Sequence, residues 1–104
     1  MYIENSVSYY SEISLIMKGK FRNNMNTQQA VANRIRELCK ERGITPNGIS
    51  IISGVPQATV KSILNGESKN PGIVTIKKLC DGVGITITEF FDTDYFKALE
   101  QEIK

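Results

Sequence analysis

The sequence predicts an all-α fold of five short helices followed by a short C-terminal helical extension. Three observations carry that prediction. Apolar residues recur at helical spacing in five successive segments, threonine or proline opens several of these segments, and glycine closes most of them. The 104 residues fit one domain with tails, which we divide into an N-terminal extension (1–26), a helical domain (27–91) and an amphipathic C-terminal helix (92–104).

The N-terminal extension shows no steady hydrophobic period. Met25 offers an internal translation start, so residues 1–24 are a candidate for a dispensable segment. Expression from Met25 tests this hypothesis, which fails if that shorter chain loses its fold or its binding.

Residues 27–43 predict the first helix. Val31, Ile35 and Leu38 recur at i, i+4 and i+7, Thr27 stands at the cap position, and Gly43 follows the last turn. The spacing places one apolar stripe on this helix.

The second helix is predicted from Thr45 as N-cap and Pro46 at the first helical position, where the missing N–H of proline costs nothing. Ile49 and Ile52 mark its inner face. Gly48 weakens the helix by roughly 1 kcal/mol relative to alanine, so this helix depends on tertiary packing.

The third helix is predicted to begin with Pro56 at its first position and to end at Asn65-Gly66. Val60, Ile63 and Leu64 form its inner face. The six-residue loop "ESKNPG" then leads to the fourth helix, whose apolar stripe comprises Ile73, Ile76, Leu79, Cys80 and Val83.

A short fifth helix, capped by Thr86 or Thr88, is expected to bury Phe90 and Phe91. Beyond it, three apolar residues recur at i, i+3 and i+7: Phe96, Leu99 and Ile103. This last stripe is open to two interpretations, an intramolecular cover for the core or a dimer contact.

Composition narrows the possible functions. The chain has no histidine, which excludes histidine-based acid–base, nucleophilic and zinc chemistry, and it has no phosphate-binding glycine motif. Cys39 and Cys80 lack metal-site spacing and are expected in the core. We therefore expect no enzyme activity, no metal and no cofactor. No apolar run approaches the roughly 20 residues of a membrane helix, and we expect a cytoplasmic protein.

The break between the second and third helices has the features of a helix-turn-helix. Such a turn needs a small residue where the helices approach, a left-handed glycine four positions later, and a β-branched residue in the angle between the helices. Ser50, Gly54 and Val60 stand at those positions. The break would thus fix a crossing that leaves the outer face of the third helix free.

Residues 27–91 resemble the bacterial Cro/lambda-repressor (XRE) type of helix-turn-helix domain. Four strings carry the resemblance: "IRELCKERGIT", "SGVPQATVKSILNG", "NPGIVTIKKLCDGVGIT" and "TEFF". It implies a five-helix, lambda-repressor-like DNA-binding domain that binds double-stranded DNA as a homodimer and regulates transcription, most often as a repressor. No membrane or small-molecule partner is implied.

The resemblance also implies residue roles. The third helix would be the recognition helix in the major groove, with Gln57, Ala58 and Ser62 at base edges and Lys61 at the edge of the groove. Glutamine can pair with adenine, and alanine can contact a thymine methyl group, which favours an A·T-leaning site. Backbone phosphates would be held by Thr45 and Pro46 at the start of the second helix, and by Asn65, Lys69 and Asn70 after the third.

The chain departs from the family pattern at a few positions. Pro46 replaces a common glutamine, which removes one phosphate contact, and a frequent Arg–Glu pair between helices one and three is replaced by Cys39 and Leu64. Ile51 stands where a charge is usual, so it is a packing site either for the N-terminal segment or for a second subunit.

Charge fits a nucleic-acid partner without requiring one. Residues 27–91 carry eight lysines and arginines against five acidic residues, whereas residues 92–104 carry two against four.

The alternative function is a protein-interaction module of the same fold, such as an antitoxin or an anti-repressor partner. An apolar outer face on the third helix would favour that alternative, and a polar, positive face would favour DNA.

Overall fold

The computed structural model describes residues 25–103, and all regular secondary structure in that range is helical. The helices are α1 (Thr27–Arg42), α2 (Pro46–Ser53), α3 (Gln57–Leu64), α4 (Ile73–Val83), α5 (Ile87–Phe91) and a single turn, α6 (Asp94–Lys97). This architecture confirms the predicted all-α fold of five helices with a short C-terminal extension. The prediction for residues 1–24 lies outside the described residues.

Side-chain caps explain where several helices begin. The Thr45 hydroxyl accepts a hydrogen bond from the Gly48 N–H at 3.0 Å at the start of α2. Thr86 rather than Thr88 caps α5, in a reciprocal capping box with Glu89. Each of these contacts satisfies an N–H group that the helix itself leaves without a partner.

Two predicted helix starts are wrong by one residue. Asn26, not Thr27, caps α1, because Asn26 has an extended backbone and exchanges two 2.8 Å hydrogen bonds with Gln29. Pro56 precedes α3 instead of opening it. Its ψ of 143° is extended while its carbonyl already accepts hydrogen bonds from the Thr59 and Val60 N–H groups, which makes it the N-cap residue.

The core draws on all five helices and on the turn between α2 and α3. Its largest fully buried side chains are Phe90, Ile35, Leu38, Ile49, Ile63 and Leu79. Cys39 and Cys80 are buried free thiols, as predicted, and burial raises the pKa of both. Their position explains why two cysteines without metal-site spacing occur in this chain.

Two residues predicted to point inward are wrong. Ile52 is 50% exposed, because the inner side of α2 is formed by Ile49 and by Ser53, which lies against the backbone of Gly82 in α4. Ile73 is 60% exposed, because it is the first residue of α4 and the buried stripe of that helix starts one turn later, at Ile76.

The predicted amphipathic helix over residues 92–104 is wrong beyond Lys97. Residues 98–103 do not continue the helix, and Ile103 is 83% exposed. Phe96, in contrast, packs against the ring of Phe91 with centroids 4.9 Å apart, so it covers the core of its own chain. Residues 100–103 are all exposed, so they bury too little to extend a helix that is marginal by itself.

Helix α1 acts as the central scaffold, because its polar side chains cap the carbonyl ends of other helices. Arg34 donates from Nε to the Phe90 carbonyl at 2.7 Å and from a terminal nitrogen to the Glu89 carbonyl at 3.0 Å, at the end of α5. Arg42 donates from Nε to the Val83 carbonyl at 3.2 Å, at the end of α4. These contacts satisfy carbonyls that the helices leave open. No helix in residues 25–103 is long and apolar enough to cross a membrane.

Candidate nucleic-acid interface

The turn between α2 and α3 is fixed by local hydrogen bonds and by one buried side chain. Gly54 has a φ of 74°, in the left-handed region, and its N–H donates to the Ser50 carbonyl at 3.0 Å. The Ser50 hydroxyl donates to the Val55 carbonyl at 2.5 Å. Val60 is fully buried. The crossing of α2 and α3 therefore has little freedom to change.

Helix α3 has an apolar face and a polar face. Val60 and Ile63 are buried, while Gln57, Ala58 and Lys61 are exposed. Ser62 is half-buried at the border between the two faces. Positions 57, 58, 61 and 62 recur at helical spacing, so they share one side of the helix. That side offers an amide, a methyl group, an ammonium group and a hydroxyl.

The carbonyl end of α3 is unusually well satisfied. The Lys61 carbonyl accepts from the Asn65 N–H at 2.9 Å, and the Ser62 carbonyl accepts from the Ser68 N–H at 3.0 Å. The last two carbonyls of the helix accept from side chains of α1. Gln28 Nε2 donates to the Ile63 carbonyl at 2.9 Å, and the guanidinium of Arg36 donates to the Leu64 carbonyl. Local turns and α1 together fix the end of this helix.

The predicted phosphate-binding residues lie on two separate segments. At the start of α2, the Thr45 hydroxyl caps the helix, and Pro46 is exposed. Because proline has no N–H, the first backbone N–H of α2 belongs to Asn47.

After α3, the Asn65 side-chain carbonyl accepts from the Glu67 N–H at 3.0 Å, and its amide NH₂ group has no hydrogen-bond partner among residues 25–103. Lys69 and Asn70 are exposed in the following loop. Within each of the two segments, the side-chain hydrogen bonds described here join residues two or three positions apart.

Two exposed lysines, Lys61 and Lys69, lie on α3 and in the loop that follows it. Lys61 and Lys69 have no carboxylate partner among the residues the structure describes, although Glu67 lies nearby in sequence. Ion pairs occur instead on α1, on α4 and between Asp92 and Lys97. Lys61 and Lys69 outnumber Glu67 in this stretch, so the surface around α3 keeps a net positive charge, which suits an anionic partner.

Gln28 and Arg36 were missed at the sequence level. They stand eight residues apart on α1 with buried Ala32 midway, so the three positions lie on one helix face. That spacing is visible in the sequence and indicates a polar pair on either side of a small contact residue. The spacing does not indicate that the end of α3 packs against this face of α1.

Comparison with known proteins gives concordant results. A model of the Cro/C1-type HTH DNA-binding domain matches residues 34–94. The chain is 41% identical over 46 residues to RghRB of Bacillus subtilis (strain 168), described as an uncharacterized HTH-type transcriptional regulator. That match covers 44% of this chain and 33% of the relative, so the chain spans about a third of the relative's length.

A solved structure, that of the prophage Lp1 protein 11, superposes with a TM-score of 0.63 at 32% sequence identity. The superposition covers 69% of this chain and 95% of the prophage protein.

Proposed function

The chain belongs to the Cro/C1-type helix-turn-helix DNA-binding family, and from that premise we propose that it is a repressor-like transcriptional regulator that binds specific double-stranded DNA as a homodimer. One observation carries the proposal beyond the family. The exposed side of α3 is polar and positively charged, on a helix whose crossing with α2 is fixed. A DNA ligand also implies a cytoplasmic location in a bacterium.

In the proposed complex, α3 enters the major groove with its polar side toward the bases. Gln57 pairs with adenine through N6 and N7, Ala58 contacts a thymine methyl group, and Ser62 bonds to a neighbouring base edge. Lys61 lies at the edge of the groove. Each good bidentate contact of this kind discriminates by roughly 1–3 kcal/mol, so this small set gives a short, A·T-leaning half-site.

Backbone phosphates hold the domain in register. Thr45 and the first turn of α2, which Pro46 pre-organises, take one phosphate on one side of α3. Asn65, Lys69 and Asn70 take phosphates on the other side. The available Asn65 amide and the exposed Lys69 ammonium support this assignment.

The small number of base-contacting side chains on α3 favours a dimer. One α3 of eight residues presents too few base-reading side chains to select a single site in a genome. A two-fold dimer doubles the number of contacts and places two half-sites about 34–36 Å apart, one helical turn of DNA. The dimer would act by occupying its site and excluding other proteins.

A protein-interaction module is the second candidate function, because Ile51 is 79% exposed and Ile52 follows it on α2. No large apolar side chain is exposed on α3, whose outer face is the feature that separates the two functions. That face favours DNA.

Selection of bound sites from random duplex DNA at two salt concentrations tests the proposal. We expect enrichment of a palindromic site with half-sites one turn apart, and weaker binding at the higher salt concentration. Gln57→Glu, which places a carboxylate at the bases, should abolish the enrichment, whereas the same change at exposed Gln101 should not. A protein that binds no duplex at low salt would refute the DNA proposal.

A further inference from the structure

Arg36 lies outside the helix-turn-helix yet reaches the end of the proposed recognition helix. Its side chain is exposed but lies on the face of α1 that meets the end of α3, and its guanidinium donates to the carbonyl of Leu64, the last residue of α3. The next residue is Asn65, the first of the proposed phosphate-binding loop. Arg36 is thus held beside that loop by a contact that uses only part of its donor capacity.

The other arginines of the described range are paired with carboxylates. A terminal nitrogen of Arg34 lies 3.3 Å from a carboxylate oxygen of Glu37, and a terminal nitrogen of Arg42 lies 3.3 Å from a carboxylate oxygen of Glu41. Arg36 forms no ion pair with any carboxylate in residues 25–103. Its charge is therefore uncompensated at this point of the surface.

The electrostatics of a helix end make this placement informative. The carbonyl end of a helix carries partial negative charge, so a phosphate beside it is disfavoured unless the carbonyls are covered by donors. Gln28 and Arg36 cover the Ile63 and Leu64 carbonyls, and Arg36 adds a full positive charge. A guanidinium has five N–H donors in a planar fork, which suits a carbonyl on one edge and a phosphate on another.

We infer that Arg36 binds a DNA backbone phosphate while it is anchored on the Leu64 carbonyl. This inference rests on the proposed function and extends the phosphate-binding surface from the loop after α3 to the scaffold helix α1. The same side chain then fixes the end of α3 and holds the DNA against it. Lys69 and the Asn65 amide would bind neighbouring phosphates.

Arg36→Gln and Arg42→Gln form a matched pair for the test. Both remove one positive charge from α1, and both replace an arginine that caps a helix end, since Arg42 donates to the Val83 carbonyl of α4. The measurements are the dependence of Kd on salt for a selected duplex and the thermal unfolding midpoint. We expect Arg36→Gln to lower the slope of log affinity against log salt by about one unit, and Arg42→Gln to leave it unchanged.

If the salt slope of Arg36→Gln is unchanged and its unfolding midpoint falls as much as that of Arg42→Gln, Arg36 is only a structural cap and the inference is overturned.

If Arg36→Gln does not fold, the Arg36→Lys variant decides. We expect it to keep the slope but to bind several-fold more weakly, because a compact ammonium group cannot span the carbonyl and the phosphate together. Wild-type affinity in Arg36→Lys would contradict us. If the unaltered protein binds no duplex, the proposed function fails and this inference with it.

Discussion

Gly82 in α4 lies so close to Ser53 in α2 that a Cβ atom on Gly82 would come within 2.9 Å of the Ser53 Cα. The same atom would lie 3.1 Å from the Ser53 backbone nitrogen. Because these neighbours include backbone atoms, they cannot rotate away as a side chain would. The absence of a side chain at Gly82 thus sets the distance between α4 and the first helix of the helix-turn-helix.

We expect Gly82→Ala to destabilise the domain by up to about 2 kcal/mol. Alanine gains roughly 1 kcal/mol in helix propensity over glycine. Overpacking against a fixed backbone costs about 1–3 kcal/mol, and here we expect it to exceed the gain. Urea unfolding measures the difference. Lys78→Ala, an exposed change in the same helix, should stay within about 0.5 kcal/mol of wild type. A Gly82→Ala protein more stable than wild type would show that α2 and α4 separate at little cost.

Arg34 should be the most important polar residue of the scaffold. Arg34→Met removes both donors to the carbonyl end of α5 as well as the ion pair with Glu37. The Phe90 carbonyl is only partly buried and the exposed Glu89 carbonyl keeps the Asp92 N–H at 3.3 Å, so we expect a loss of about 1–2 kcal/mol in urea unfolding. Arg42→Met, which removes a longer and more exposed contact, should cost less than half as much. Equal losses for the two variants would contradict the importance assigned to Arg34.

The Tyr95 hydroxyl donates to the Glu37 carboxylate at 2.8 Å. Burial, and then the hydrogen bond to Glu37, raise the pKa of Tyr95 above its ordinary value. The folded state therefore keeps a proton that the unfolded state loses near pH 10, so this contribution to stability is complete below about pH 10 and is lost as pH rises further.

Tyr95→Phe should therefore lower stability by about 1 kcal/mol at neutral pH, and its difference from wild type should shrink above about pH 10. Unfolding measured from about pH 7 to pH 11 tests this, provided the fold survives the alkaline end. The buried thiols of Cys39 and Cys80 also have raised pKa values, but they are present in both proteins and cancel in the comparison. A difference that does not change with pH would show that the phenol does not titrate as inferred.

The sequence was most informative where structure is decided locally. The start of α2 at Thr45-Pro46 depends on residues within one turn, and the chain supplies them in order. The same holds for the buried stripe of α4 from Ile76 to Cys80, which follows helical spacing. The errors at Thr27 and Pro56 are single-residue shifts: Asn26 takes the cap position expected of Thr27, and Pro56 is itself the cap instead of the first helical residue.

Features that depend on how helices cross were not predictable from spacing. By periodicity Ile52 belongs to the inner face of α2. The close approach of Ser53 to Gly82 places Ser53 on that face instead, and Ile52 is left exposed. Arg36 looks like an ordinary exposed charge until the end of α3 is known to lie beside it. The assignment of Gln57, Ala58, Lys61 and Ser62 to bases remains a prediction, since it concerns a partner and not the fold.

Lys69→Ala should weaken binding to all duplexes alike. A phosphate contact carries no sequence information, so affinity for selected and random DNA should fall together, and the salt slope should decrease by about one unit. Lys97→Ala is the matched control, because Lys97 is also exposed but lies on α6 and pairs with Asp92. An effect on the selected site alone would instead assign Lys69 to base recognition.

Gln57→Ala should weaken binding to the selected DNA site but not to random DNA, in contrast to Lys69→Ala. Loss of a bidentate contact to adenine removes about 1–3 kcal/mol of preference at one base position and leaves binding to random DNA nearly unchanged. Repeating the selection with this variant should therefore relax one position in each half-site while the salt slope stays the same. Gln101→Ala, an exposed glutamine outside the helices, should leave the selected site intact. Equal losses on selected and random duplexes would reject a base-reading role for Gln57, because only contacts to base edges can separate the two kinds of DNA.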